Sequence, residues 1–229
     1  MPPTLLVIDS SGRNTRSITR RLTQRFATLW RSHHPEGRII HRDVGLNPPP
    51  PVDEAWIASA FTAAEKRTPA MRDALRVSDE LIDELSVADC VVLGAPVYNF
   101  GMPAQLKAYF DQIVRVGRTF AFEPGATDPY QALLPSKPVV IATAAGDGTL
   151  LPGGAMAHLN FLDRHLETLL GFIGLTEVAF VRVGYEEFQD DRLSRSLAAA
   201  ETAIGALAVR HTRSQLPTKP DEVGGLVGR

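Results

Sequence analysis

Cysteine is nearly absent: Cys90 stands alone among 229 residues. A lone thiol makes no internal disulfide and no multi-cysteine metal cluster, and it suits a reducing compartment such as the cytoplasm. An excess of one charge is missing too. The 24 Lys and Arg and 26 Asp and Glu leave a net charge of −2, so there is no basic footprint for nucleic acid. No apolar run approaches the length of a membrane span. The opening MPPTLLVIDSSG has neither the positive leader nor the apolar length of a secretion signal. Neither GxGxxG nor GxxxxGK[ST] occurs where the first apolar run ends, which weakens a Rossmann reading and removes the P-loop NTPases. That loop also lacks a cysteine nucleophile, excluding a Cys–Arg phosphatase. The run over 89–96 ends in Ala95 and Pro96, where a receiver domain needs an aspartate.

What is there is ordinary for a globular chain: 44% apolar and 22% charged residues. The length fills one large domain, expected over 1–210. The stretch 211–229 has Pro, Gly and charge without periodicity and is expected to be a mobile tail. Four runs rich in Val and Ile, TLLVID (4–9), DCVVLGAP (89–96), KPVVIATAAG (137–146) and TEVAFVRVG (176–184), predict strands buried on both faces. GRIIHRDV (37–44) alternates and predicts a strand nearer an edge.

Between these runs, apolar residues recur at helical spacing. Ile18, Leu22, Phe26 and Leu29 predict a helix over 15–31, and Met71, Leu75, Ile82 and Leu85 one over 69–85. Further stripes are Leu106, Tyr109, Phe110 and Ile113, then Leu159, Leu162, Leu166 and Leu169, then Leu193, Leu197, Ala200 and Ile204. Strands alternating with helices predict an α/β fold, a five-stranded parallel sheet in the order 2-1-3-4-5 with helices on both faces. Its ligand crevice lies beyond the carboxyl ends of the first and third strands. GLNPPPPVDEAW (45–56) favours an extended connection into a helix near residue 53, either a rigid excursion over the ligand face or a plain linker.

Three loops at that crevice carry chemistry. The first, SSGRNTRS, offers small hydrogen-bonding residues, a glycine and the cations Arg13 and Arg16 at a helix N-terminus, which suits a phosphate. The same residues also suit an ordinary N-cap. The second, APVYNFGMP, places Tyr98 and Phe100 beside Asn99. Rings and an amide fit the faces and polar rim of a flavin, or the rings simply plug the end of the sheet. The third, ATAAGDGTLLPGG, has small residues that let backbone approach a ligand edge. His158 is a candidate proton donor or a polar residue of a helix start. Phe120 and Phe122 are a candidate substrate wall or core, Cys90 is expected to be buried and inert, and Arg115 and Arg118 are weak candidates for a nicotinamide phosphate contact.

The stretch from 96 to 120, P-x-Y-N-F-x-x-P-x-x-L-K-x-Y-F-D-x-x-x-R-x-G-x-T-F, resembles the signature of the FMN-dependent NADH-azoreductases. These are relatives of the NAD(P)H quinone oxidoreductases within the flavodoxin-like superfamily. LLGFIGLTEV (169–178) resembles the family's later helix-to-strand junction, and the similarity spans about 4–210.

The resemblance implies a flavodoxin-like, homodimeric, cytoplasmic flavoenzyme. It would take hydride from NADH or NADPH onto FMN and pass two electrons to a quinone or azo compound in a ping-pong cycle, with no catalytic side chain named and no metal. A flavodoxin-like electron carrier or redox sensor is the alternative. By resemblance the FMN phosphate falls on Ser11 and the turn of Thr15, Arg16 and Ser17, with Ser10 close by. The ring falls against Pro96, Val97, Tyr98, Asn99 and Phe100, Val97 standing where the family often has Met. The family's Ser-Arg-Gly-Gly loop corresponds to Ala144, Ala145, Gly146 and Asp147, so a hydroxyl and a cation are lost and a carboxylate is gained.

Overall fold

The computed structural model describes residues 2–213. Five parallel strands form the central sheet among these residues: β1 (Thr4–Asp9), β2 (Arg38–Asp43), β3 (Cys90–Pro96), β6 (Val139–Ala144) and β7 (Val178–Val183), in the order β2-β1-β3-β6-β7. This is the expected 2-1-3-4-5 order, with each edge within two residues of its predicted place. The numbering gap is an antiparallel hairpin, β4 (Phe120–Phe122) and β5 (Tyr130–Ala132), which the sequence reading missed.

The alternation within β1 explains the burial on both faces. Leu6 and Ile8 join one core, with Leu81, Leu85, Leu106, Phe110, Leu162 and Leu166, while Leu5 and Val7 join the other, with Leu22, Phe26, Trp30 and Ile204. The first core lies under α4 (Arg76–Val87), α5 (Ala104–Ile113) and α6 (Phe161–Phe172), and the second under α1 (Ile18–His33) and α7 (Asp191–Arg213). Phe26 and Trp30 are wholly buried; a side chain of this size contributes about 1.5–3 kcal/mol when removed from water. Helix α7 runs through Arg213, and the remainder of the expected tail, 214–229, lies outside the described residues.

One expectation needs correction. The helix predicted over 69–85 is broken at Leu75 into α3 (Pro69–Ala74) and α4. Leu75 turns instead into a small cluster with Trp56 and Ala60 of α2 (Glu54–Ala60), and α3 has no buried residue, Met71 included. Of the two readings of the proline-rich segment, the plain linker is favoured, since none of residues 45–56 lines the cavity described below. The segment is pinned by Gln112 of α5, whose Nε2 donates to the Pro50 carbonyl (2.9 Å) and whose Oε1 accepts from the Trp56 indole (2.8 Å).

Candidate active site

The site is built where β1 and β3 diverge. Ser10 ends β1's run into the loop, fully buried, with its Oγ donating to the Gly94 carbonyl at 2.7 Å. That bond ties the loop to β3. Ser17 then caps α1, its Oγ accepting from the Arg20 N–H at 3.3 Å. No acidic residue occupies the first turn, so the free N–H groups and the positive end of the helix dipole keep their pull on an anion. Ser11, Ser17, Ile18 and Thr19 all face the cavity.

On β3 the chain turns within four residues. Tyr98 N–H donates to Gly101 O (2.9 Å) and Gly101 N–H to Tyr98 O (3.0 Å), with Asn99 and Phe100 at φ of 47° and 70°. Both central residues are left-handed, as a type I′ turn requires. Asn tolerates this, whereas Phe there costs roughly 1–2 kcal/mol. Strain of this kind gathers at functional sites. The turn aims Tyr98 across the crevice, its hydroxyl 4.0 Å from where a side chain on Gly12 would begin. Val97 N–H donates to Ala144 O (2.8 Å), which levels the β3 turn with the end of β6.

The loop after β6 is small because another loop lies on it. Glu187 N–H donates to Gly146 O (3.1 Å), and the Glu187 side chain and the Tyr185 ring stand where Cβ atoms on Gly146 and Gly148 would be. The β7–α7 connection thus requires a glycine at 148, against the Tyr185 ring, while at Gly146 the exposed Glu187 side chain can yield; Glu186 and Glu187 both reach the cavity.

The resulting cavity holds about 400 Å³, within the range of small-molecule sites. The β1 loop and the start of α1 give it the cations Arg13 and Arg16 and helix N–H groups. Pro96, Val97, Tyr98 and Asn99 come from the end of β3, beside Ala144, Ala145 and Gly146 from the end of β6. Arg13 is half-committed, its Nη1 donating to Glu186 Oε1 at 2.6 Å. Behind the loop sits a charge network. Arg20 holds Asp43 in a two-point pair (2.5 and 2.7 Å), and Asp9 lies 3.8 Å from the same guanidinium. Burial raises the Asp9 carboxyl above its ordinary value against the bond from Thr23. Burial also works to raise Asp43, but the Arg20 and backbone hydrogen bonds outweigh it and hold that carboxyl low.

An elongated group with an anionic end and a flat end fits this donor set. Of the residues expected to hold it, Ser11, Arg16, Ser17, Pro96, Val97, Tyr98, Asn99, Ala144, Ala145 and Gly146 line the cavity. Four expected residues do not. Ser10 is spent on Gly94, Thr15 is exposed ahead of the helix, and Phe100 turns outward while its carbonyl accepts from Phe161 N–H (2.9 Å). Asp147 caps the next turn by accepting from Thr149 N–H (2.8 Å).

Other candidates are also placed. Arg115 is buried on Ser78 and Asp79, and Arg118 pairs with Asp79 and Asp83, so neither is free for a cofactor phosphate. His158 is exposed in a short turn outside the cavity lining. Cys90 is buried, and desolvation pushes its thiol up to about 12. Phe120 packs on Tyr130 and Phe172. The sequence reading missed Ile18 and Thr19, which Ser17's role as cap would have located, and Glu186 and Glu187, for which no local signal existed. Among the described residues no group of His, Cys, Asp and Glu could hold a metal, and no helix is long and apolar enough to cross a membrane.

A crevice at the carboxyl ends of parallel strands, where their order reverses, defines a nucleotide-binding protein of the doubly wound class. In agreement, a family model for the flavodoxin-like fold matches residues 3–206. A protein of Opitutus terrae called FMN-dependent NADH:quinone oxidoreductase is 58% identical over 207 residues, 90% of this chain and 97% of its own. One of Idiomarina loihiensis, FMN-dependent NADH:quinone oxidoreductase 2, is 40% identical over 98% of each chain. The crystal structure of an azoreductase from Bacillus anthracis strain Sterne superposes with a TM-score of 0.80 at 22% identity, over 91% of this chain and 99% of its own; at that identity the likeness bears on the fold. The chain belongs to the FMN-dependent NADH:quinone oxidoreductase family of the flavodoxin-like fold.

Proposed function

We infer that the protein is an FMN-dependent NAD(P)H oxidoreductase that transfers two electrons to quinones or azo compounds in a ping-pong cycle. The observation that carries this is the convergence of three loops on one cavity, one bringing an anion-seeking helix start and another an aromatic turn. Ser11, Ser17 and the N–H groups of Ile18 and Thr19 would hold the FMN phosphate, with Arg16 and Arg13 adding charge. Val97, Tyr98 and Asn99 would lie along the isoalloxazine, and Ala144, Ala145 and Gly146 would bring backbone to its rim. Bound FMN supplies the redox chemistry, accepting two electrons from the nicotinamide and releasing them to the second substrate. The chain's own residues bind, orient and exclude water, so no nucleophile or general acid is assigned.

The reading includes a homodimer working in the cytoplasm. The half-exposed Phe122, Tyr130 and Leu133 (46%, 50% and 46%) give an apolar patch suited to a second copy, and the lone buried thiol suits a reducing compartment. Steady-state kinetics tests the activity. NADH oxidation with a quinone should require added FMN and give parallel double-reciprocal lines. A colourless protein inactive after FMN addition refutes the reading, and flavin that NADH reduces only through a partner reductase would make it a carrier. Sedimentation at micromolar concentration tests the dimer.

A further inference from the structure

Arg20 does not line the cavity, yet it holds two carbonyls of the phosphate loop. It is the third residue of α1, and its side chain runs back toward the helix start, as helical side chains do. Its Nη2 donates to the Ser11 carbonyl (2.7 Å) and its Nε to the Arg13 carbonyl (2.9 Å). The rest of the fork is held by Asp43, Nη1 to Oδ2 at 2.5 Å and Nη2 to Oδ1 at 2.7 Å. Asp43 is itself fixed at the end of β2, where its Oδ1 also accepts from Leu46 N–H (3.0 Å). A Cβ on Gly45 would overlap the Ser11 carbonyl and lie 2.9 Å from Arg20 Nη2, so the β2 loop closes over the same point.

We propose that Arg20, clamped by Asp43, is the positioning residue that sets the phosphate-binding loop in its anion-accepting form; this rests on the assignment of FMN to the cavity. Holding the carbonyls of Ser11 and Arg13 on the guanidinium fixes the backbone of two residues that line the cavity, and so the placement of the Ser11 hydroxyl and the Arg13 charge at the start of the loop. The Arg20 charge is neutralised by Asp43, so the contribution is geometric rather than a direct pull on the anion. A lysine cannot repeat it, because an ammonium lacks the planar fork.

The test compares FMN with riboflavin, which lacks the phosphate, by fluorescence titration of the full chain. The wild type should prefer FMN. Arg20→Lys should weaken FMN about tenfold and leave riboflavin within about twofold, so the preference falls about tenfold. Asp43→Asn, which keeps Arg20 but loosens its fork, should move the ratio the same way and serves if Arg20→Lys does not fold. Arg42→Met is the control. Arg42 pairs with Glu80 and Glu84 on α4, so its loss should lower stability and leave the ratio unchanged. An unchanged ratio in Arg20→Lys or Asp43→Asn, or equal loss of both flavins, overturns the proposal. A wild type with no preference for FMN overturns the cavity assignment on which it stands.

Discussion

Gly148→Ala is the substitution with the sharpest expected outcome. A Cβ at Gly148 overlaps three ring carbons of Tyr185. That ring cannot simply swing away. It packs edge-on against Phe188 at 6.1 Å, lies under the Arg192 guanidinium at 5.0 Å, and springs from a backbone at φ 67°. The backbones also meet directly, since a Cβ on Gly184 would lie 2.6 Å from Gly148 Cα. Forced overpacking of this kind costs about 1–3 kcal/mol. At about 2–4 °C per kcal/mol for a chain of this size, a mid-range value lowers Tm by about 4–8 °C. Gly146→Ala is the matched comparison, because its Cβ meets only the exposed and flexible Glu187 side chain, from Cγ outward, and the cost should stay within about 0.5 kcal/mol. Urea and thermal unfolding of the FMN-free protein measure both. Tyr185→Ala should recover much of the Gly148→Ala loss as coupling in a double-mutant cycle. Equal losses at Gly146 and Gly148, or no coupling with Tyr185, would refute the account of why residue 148 is a glycine.

Three further outcomes follow from buried polar groups. Lys137, 6% exposed, donates to the carbonyls of Leu85, Ser86 and Ala88 at the end of α4. Lys137→Met strands these acceptors and should cost about 2 kcal/mol in urea unfolding. Asp9 has a folded pKa raised by burial, so its favourable contribution is complete below the unfolded value near about 3.9 and is lost as pH rises through the folded value. Asp9→Asn should therefore be more stable than wild type at neutral pH, with the gap closing below about pH 4; a gap that widens on acidification would contradict this. Cys90, with its thiol pushed up to about 12, should resist iodoacetamide at mildly alkaline pH in the folded protein and react only after denaturation.

Period and composition made the sheet legible. Runs such as TLLVID and DCVVLGAP are apolar on both faces because helices cover both, and the hydrophobic stripes of α1, α5 and α6 follow from the same burial. Features set by distant contacts were hidden. Leu75 fits a helical stripe, and only Trp56 and Ala60, brought alongside by α2, turn it away. The β4–β5 hairpin has three-residue strands, too short to show alternation. In the site, the aromatic turn was conspicuous because a strand-to-helix turn does not call for two rings and an amide, whereas the left-handed backbone of Asn99 and Phe100 was not legible. Glu186 and Glu187 were not, since their arrival depends on β7 lying beside β6. Ser10 and Asp147 carry plausible ligand chemistry, but the hydrogen bonds that use it are to Gly94 and Thr149.

The central claim is that this cavity holds FMN and cycles it between a nicotinamide and an acceptor. Anaerobic absorbance spectroscopy of the FMN-loaded protein, as two separate half-reactions, tests it most directly. NADH alone should bleach the flavin band at one equivalent per bound FMN, and a quinone or azo compound added afterwards should restore it. Bound flavin that NADH leaves oxidised, or that once bleached does not recover its colour with either acceptor, would contradict the account.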